Sequence, residues 1–124
     1  PVQASSRIYS SQDIERWHIN EMKSLLSRFS GVKFIFDDVK QKYYPVLRDA
    51  ITSFRSKNEG KPLVVIDDTP FIDFDILDYP VNDIEEIFLL KGSDAAIWGP
   101  KASNGIIVII TQRGKSTKIE QKEE

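Results

Sequence analysis

Five consecutive apolar residues near the end of the chain, Ile106–Ile110, constrain the fold more than any other feature. A strand that is apolar at every position is typical of the middle of a sheet, where both faces are buried. The run follows an Asn104-Gly105 turn signal, and a basic residue and a glycine, Arg113-Gly114, close it. A short helix is expected just upstream, over Asp94–Trp98, with Gly99 as its stop. This order of signals predicts a sheet with helices on its faces.

The composition describes one modest globular domain. The chain has 124 residues, of which 40% are hydrophobic and 10% aromatic, enough for a single core. A net charge of −2 gives no overall attraction to nucleic acid, and the basic residues are scattered, so we expect no nucleic-acid binding. The absence of cysteine excludes disulfides and thiolate metal sites. The apolar runs are too short for a membrane-spanning helix, and we expect no membrane span in this chain.

The first third of the chain is patterned as one amphipathic helix followed by a strand. Ser10 or Ser11 is a suitable N-cap, and the apolar positions of Ile14–Phe29 recur at roughly helical spacing. Gly31 is a typical residue for the end of a helix, so we expect the helix to continue close to it. The alternating side chains of Val32–Phe36 then predict a strand.

The middle of the chain predicts more strands and contains one ambiguous segment. Leu63–Ile66 and Glu86–Leu90 are expected to be strands in the same sheet as the central apolar run. Tyr43-Tyr44-Pro45 predicts a break, because the residue before proline avoids helix. Val46–Phe54 fits either a strand or a helix, and its apolar spacing slightly favours a helix. The helix residues expected to pack over the sheet are Ile14, Trp17, Leu25 and Leu26.

The order of these elements predicts an α+β domain, with a small mixed β-sheet covered by the N-terminal amphipathic helix and by short helices. Any parallel pair of strands would need a crossover such as Asp94–Trp98. Pro1–Ile8 is compatible with an edge strand. We expect the domain to span residues 1–114 and residues 115–124 to form a charged, disordered tail.

Candidates for catalysis or metal binding are few. His18 is the only histidine, and no nucleophile motif surrounds it, which favours a place on the helix flank over a role as a base. The aspartates of residues 67–78 have oxygen ligands for Ca²⁺, but their spacing does not match a calcium loop and the required glycine is missing. Paired carboxylates also occur in glycosidases, but no substrate cleft is indicated. We therefore expect no enzymatic activity, no metal and no cofactor.

Several segments, in the right order, resemble the plug domain of TonB-dependent outer-membrane receptors, especially the SusC/RagA-like group. Pro62–Asp67 is similar to the family's Pro-Leu-Tyr-Val-Ile-Asp, although Asp68 stands where the family has glycine, so the turn is expected to differ. Ala95–Gly99 is similar to Ala-Ala-Ile-Tyr-Gly, and Ala102–Gly105 to Ala-Ala-Asn-Gly. The other matching segments are Ser11–Glu15, Asn82–Gly92 and Leu25–Val32, in which Ser30 replaces the usual proline.

The resemblance covers about residues 5–114 and implies structural roles for Asp67, Gly99, Asn104, Gly105 and Gly114. It implies a non-enzymatic domain on the periplasmic side of the outer membrane of a Gram-negative bacterium. Such a domain sits inside a barrel and blocks import until substrate and an energised periplasmic partner rearrange it. The family's Arg-Ile-Arg-Gly segment should fall near residues 46–53, where this sequence differs from it.

The last ten residues leave a second interpretation open. They form a Lys/Glu-rich ending without the alternating strands of a barrel, or a recognisable segment for the energising partner. The alternative is a barrel-less plug-like module of a larger periplasmic or outer-membrane-associated protein, used for protein–protein contact. The expected partner is accordingly the barrel domain of the same receptor or another periplasmic or outer-membrane protein.

An acidic segment is the candidate contact site. Residues 62–90 contain eight Asp or Glu and no Lys or Arg. Within them, Asp73, Asp75 and Asp78 alternate with apolar residues, which either fold back onto the sheet or form a contact surface. In a receptor plug we expect these three carboxylates to face substrate or the barrel wall. In a free-standing module we expect them to face a basic protein surface.

Overall fold

A computed structural model describes residues 7–47 and 60–114. The predicted tail, the start of the N-terminal edge segment and most of Val46–Phe54 lie outside the described residues. The α-helices whose bounds both lie within the described residues are α1 (Ser11–Arg16) and α2 (Met22–Leu26). The strands are β1 (Tyr9–Ser10), β2 (Val32–Asp37), β3 (Lys42–Leu47), β4 (Leu63–Ile66), β5 (Thr69–Phe71), β6 (Ile84–Leu90) and β7 (Ile106–Thr111).

The central sheet has five strands in the order β1-β6-β7-β4-β5. β7, which carries the apolar run, lies in the middle, antiparallel to β6 and parallel to β4. Its alternating side chains point to the two faces of the sheet, and Ile106, Ile107 and Ile109 are fully buried. The predicted mixed sheet and the central place of this strand are confirmed.

The helices cover one face of the sheet, and short 3-10 turns cover part of the other. On the helix face, Ile14, Leu25 and Leu26 pack in one cluster with Ile107 and Ile109, and the half-buried Trp17 lies against it. A second cluster on the other face joins sheet residues to the segment that precedes β7, and consists of Leu63, Val65, Ala95, Ala102 and Ile106. The predicted packing of the helix residues over the sheet is confirmed.

The single long helix predicted up to Gly31 is wrong, because the chain turns after α1. His18 has φ +55°, and the amide groups of His18 and Ile19 donate to the carbonyls of Glu15 and Ile14 at 3.1 Å and 3.0 Å. These two bonds form the Schellman arrangement, with Ile14 and Ile19 as its apolar pair. Histidine stands where glycine is usual, so the sequence carries no signal for the stop. Ser10 is the N-cap, with a complete capping box to Asp13.

The predicted break at Tyr43-Tyr44-Pro45 is also wrong, because these residues lie inside β3. β2 and β3 form a separate two-stranded antiparallel sheet, in which Phe34 is opposite Pro45. Each strand of a two-stranded sheet has one free edge, so a proline without an amide hydrogen is tolerated there. The start of Val46–Phe54, Val46-Leu47, is therefore strand rather than helix.

Three further differences concern connections. The expected helix over Asp94–Trp98 is a series of 3-10 turns, Gly92–Asp94, Ala96–Trp98 and Pro100–Ala102. It joins the antiparallel strands β6 and β7, so it is not the parallel crossover that we expected. Thr69–Phe71 adds an edge strand that the sequence did not predict, because the run is short and contains proline. The opposite edge is β1, next to the predicted Pro1–Ile8.

Candidate functional site

Asp67 lies in the turn between β4 and β5 and contacts the end of β7, the middle strand of the central sheet. Its carboxylate accepts hydrogen bonds from the amide of Thr111 at 2.9 Å and from the hydroxyl of Thr111 at 2.5 Å. The same hydroxyl accepts a bond from the Gly114 amide at 3.0 Å. Thr111 is fully buried, so these bonds satisfy a polar group that has no access to water.

Gly114 is required at this sheet end for space. A Cβ atom built on Gly114 would come within 2.6 Å of the Asp67 Cγ atom, so any side chain would push the carboxylate away. The residues Asp67, Thr111 and Gly114, called the strand-end clasp below, therefore depend on one another. The resemblance pointed to Asp67 and Gly114, but nothing in the sequence pointed to Thr111 as the group that joins them.

Asp67 lies in a turn whose two central residues both have a positive φ angle. Asp67 and Asp68 have φ +48° and +71°, and they form a two-residue connection between β4 and β5. Positive φ at both central residues is the type I′ geometry, which glycine and asparagine adopt most easily. A different turn was expected because Asp68 replaces glycine, but the turn found is of the type that Asp-Gly itself favours, with aspartate in the left-handed conformation.

The three other motif residues shape the loop before β7. Gly99 has φ +83° and ends the Ala96–Trp98 turn, in a conformation that a side chain would strain. Asn104 is buried and donates from its amide to the carbonyl oxygen of Lys61 at 3.3 Å. The Gly105 carbonyl accepts from the Leu63 amide at 3.0 Å. This loop therefore fixes where β7 starts beside β4.

The acidic segment meets lysines from other parts of the chain. Lys61 lies 2.8 Å from Asp73, and Lys40 lies 3.2 Å from the same carboxylate. The side chain of Asp75 is 46% exposed and that of Asp78 64%, so both also remain accessible from solvent. The structure thus brings Asp73, Asp75 and Asp78 together on one surface and neutralises part of their charge.

The pairing changes the acid–base behaviour of the groups involved. A hydrogen bond from Lys61 holds the pKa of Asp73 below its usual value. The backbone amide of Lys40, together with the Lys61 ammonium, lowers the pKa of Asp37 in the same way. Burial alone would lower the pKa of Lys61, but its hydrogen bonds to Asp73 and Asp37 raise it. All these groups are charged at neutral pH, which suits a structural ion-pair network.

The sequence analysis missed Lys40, Lys42 and Lys61, because all three lie outside the acidic segment and the first two are far from it in the chain. The signal that could have found them is a hairpin turn with two lysines, Lys40 and Lys42, facing an acid run that has no base of its own. Among residues 7–47 and 60–114, no group of three or more His, Asp or Glu is arranged to hold a metal ion. His18 lies at the end of α1, in the helix-stop turn.

The sequence matches the TonB-dependent receptor plug domain over residues 2–106. The chain belongs to this family. Plug domains are parts of outer-membrane TonB-dependent receptors and serve transport. In the part of the chain that the structure describes, no helix is long and apolar enough to cross a bilayer.

Solved receptors contain the same fold. The plug domain superposes with a TM-score of 0.66 on the ferric enterobactin receptor PfeA of Pseudomonas aeruginosa, at 19% identity. It superposes equally well, at 20% identity, on the siderophore receptor PirA of Acinetobacter baumannii. Each comparison covers 87% of this chain but only 17% of the receptor.

A peptide importer gives a similar result. RagAB in its open-open state superposes with a TM-score of 0.62 at 21% identity, over 87% of this chain and 12% of that one. This match agrees with the SusC/RagA-like resemblance in the sequence. At these identities the likeness establishes the fold alone, and the chain spans less than a fifth of the receptors' length.

Proposed function

We propose that this plug domain is a non-enzymatic gate for substrate import through an outer-membrane TonB-dependent receptor. The observation that carries the proposal is the family match over residues 2–106, together with the contacts of the motif residues. Asp67 and Gly114 meet in the strand-end clasp, and Asn104 supports the start of β7. These contacts fix the central sheet as one body, as a gate that closes a pore requires.

The proposed partner is the barrel domain of the same receptor. The energised partner would reach the plug from the periplasmic side. The similar structures are a ferric enterobactin receptor, a siderophore receptor and a peptide importer, and since these ligands differ greatly in chemistry, the shared fold assigns no substrate to this chain. The gating role is therefore proposed without a named cargo.

The test is the conductance of the parent protein in planar lipid bilayers, with and without residues 1–114. We expect the complete protein to show little ion flow, and the deletion variant to form a permanently open pore. Equal, low conductance of both proteins would contradict the gate. A parent reading frame without barrel strands would replace it with the alternative, a module for protein–protein contact.

We also propose that Asp73, Asp75 and Asp78 face the partner. Two variants of opposite design test this contact: one changes the three aspartates to Asn, and the other changes Lys40 and Lys42 to Gln. Binding of the separately purified partner is measured by calorimetry at low salt. We expect the first variant to bind more weakly and the second more tightly, since it leaves the carboxylates without two of their internal partners. Unchanged affinity of both variants would remove these aspartates from the contact.

A further inference from the structure

The β2–β3 hairpin is attached to the rest of the domain in two different ways along its length. At its base, Val46 and Leu47 are buried, with exposed fractions of 3% and 0%. At its tip, residues 35–43, the large apolar side chains point away from the core. Ile35, Phe36 and Tyr43 are about half exposed, and Val39 is almost fully exposed. Burial therefore anchors the base of the hairpin, but not its tip.

Alternating charges join the tip to the main body, by which we mean the described residues outside the β2–β3 hairpin. Asp37 lies 3.1 Å from Lys61, Lys40 lies 3.3 Å from Asp75, and Lys42 lies 2.5 Å from Asp78. With the contacts of Asp73 and the 3.5 Å pair Lys42–Asp75, the acids and bases form one continuous ladder. Its order is Asp37, Lys61, Asp73, Lys40, Asp75, Lys42, Asp78.

Five of the six ion pairs in this ladder cross from the tip to the main body; only Lys61–Asp73 lies within the main body. Because each inner member has two partners, one ordered side chain serves two pairs. Lys23 of α2 adds a further charged contact, with its ammonium 4.9 Å from the centre of the Tyr43 ring. The forces on the tip are thus mainly electrostatic.

The boundary between base and tip falls within β3. Tyr43 is 51% exposed, whereas Tyr44 next to it is only 9% exposed, and Val46 and Leu47 beyond it are buried. Phe34 lies opposite Pro45, and Ile35 lies opposite Tyr44, so the same boundary crosses both strands. A bend of the hairpin at Tyr44-Pro45 therefore leaves the buried base in place.

We propose that residues 35–43 form a strap, which the charge ladder holds against residues 72–78 and which lifts about Tyr44-Pro45 when the ladder is weakened. Lifting opens the gap under the strap, which is lined by Tyr44, Phe74 and Ile76. It also frees Asp75 and Asp78 from their lysines. The proposal concerns movement inside the 124-residue chain, so it stands or falls independently of the gating role.

Paired spin labels can test the strap directly, since the chain has no cysteine of its own. Val39→Cys and Ile72→Cys place labels on the strap and on the main body, at two exposed positions. Lys33→Cys with Ile72→Cys reports on the base of the hairpin and is the matched control. Distances are measured by double electron–electron resonance in low salt and in about 1 M NaCl, where screening shortens the range of charges to ~3 Å.

We expect the Val39–Ile72 distance distribution to broaden about twofold in high salt, where the screening length is comparable to the ion-pair distances. Lys40→Gln combined with Lys42→Gln should give the same broadening in low salt, with circular dichroism confirming that the variant is folded. The control pair should stay unchanged. A strap distance that responds to neither treatment would overturn the proposal. Broadening of both label pairs would overturn the hinge at Tyr44-Pro45, because the whole hairpin would then be moving.

Discussion

The central sheet and the tip of the β2–β3 hairpin are stabilised by different forces, although they lie in one small domain. The sheet buries Ile106, Ile107 and Ile109 completely, and its only buried polar residues among those described, Asn104 and Thr111, are hydrogen-bonded. The tip leaves its large apolar groups exposed and depends on ion pairs that, apart from the largely buried Asp37–Lys61 pair, are exposed or half exposed. Burial resists salt and acid, whereas charge pairs yield to both. One domain thus combines a rigid body with an adjustable part.

The largest difference between the two regions should appear when isoleucine is truncated in each. Ile109→Ala leaves a cavity in the helix-side core and should lower the free energy of unfolding by about 2–5 kcal/mol. Ile35→Ala, at a 41% exposed position of the tip, is the matched control and should cost less than about 1 kcal/mol. Urea denaturation of both variants measures the difference. Equal losses would show that the tip is as tightly packed as the sheet.

The strand-end clasp tests whether the rigid region also depends on a polar contact. Asp67→Gly keeps the positive φ but removes the carboxylate, leaving the buried Thr111 without its partner. We expect a loss of about 1–3 kcal/mol in the free energy of unfolding. The loss should be nearly the same in low and high salt, because the donors are the uncharged amide and hydroxyl of the buried Thr111, whereas salt acts mainly on pairs of exposed charges. A loss that disappears in high salt would show that charge stabilises the clasp, as it does the charge ladder.

The sequence predicts these two regions with unequal success. The pattern of Ile106–Ile110 is local, since five apolar residues in a row are enough to place the strand inside a sheet. The motif resemblance likewise singles out Asp67, Gly99 and Asn104 from short segments of the chain. Each of these features is visible within a few neighbouring residues.

The charge ladder could not be predicted in the same way. Lys40 and Lys61 are 21 positions apart in the chain and meet at the carboxylate of Asp73 only after the hairpin has folded against the main body. The end of α1 was not predicted for another reason. His18 adopts a left-handed backbone at a position where glycine would have been the signal. Long-range pairing and non-glycine turns, like the edge strands that contain proline, are features that the pattern of this sequence does not reveal.

Acid should release the strap before it affects the sheet. The pKa values of Asp37 and Asp73 lie below the ordinary 3.8, so their stabilisation is fully present above that pH and is lost as the pH falls through the lowered values. The pKa values of Lys40 and Lys42 are raised by Asp73 and Asp78, and their contribution is lost only above 10.5. Asp37, Lys40 and Lys42 of the strap are faced by the charged groups of the elements packed against it, Lys23, Lys61, Asp73, Asp75 and Asp78.

The spin-label pair on Val39 and Ile72 measures this release between pH 7 and pH 2. We expect a narrow distance distribution down to about pH 4, and broadening below it as Asp37 and Asp73 take up protons. The pair on Lys33 and Ile72 should remain narrow over the range in which the strap first responds. Simultaneous broadening of the two pairs would mean that acid unfolds the domain as a whole. The tip would then be no more sensitive to acid than the sheet.

The smallest expected effect concerns Asp68, the neighbour of the clasp residue in the β4–β5 turn. Asp68 has φ +71°, a conformation that costs an L-residue about 1–2 kcal/mol in general and aspartate somewhat less. Asp68→Gly removes that cost but adds backbone entropy to the unfolded chain, worth roughly 0.5–1 kcal/mol. The balance should be a gain of up to about 1 kcal/mol in the free energy of unfolding. Asp67→Gly is the same change one residue earlier. Comparing the two variants separates the effect of backbone strain, which Asp68→Gly reports, from the loss of the carboxylate contact, which Asp67→Gly reports. A loss as large as that of Asp67→Gly would show that the turn depends on both carboxylates, and that the rigid region also relies on charge.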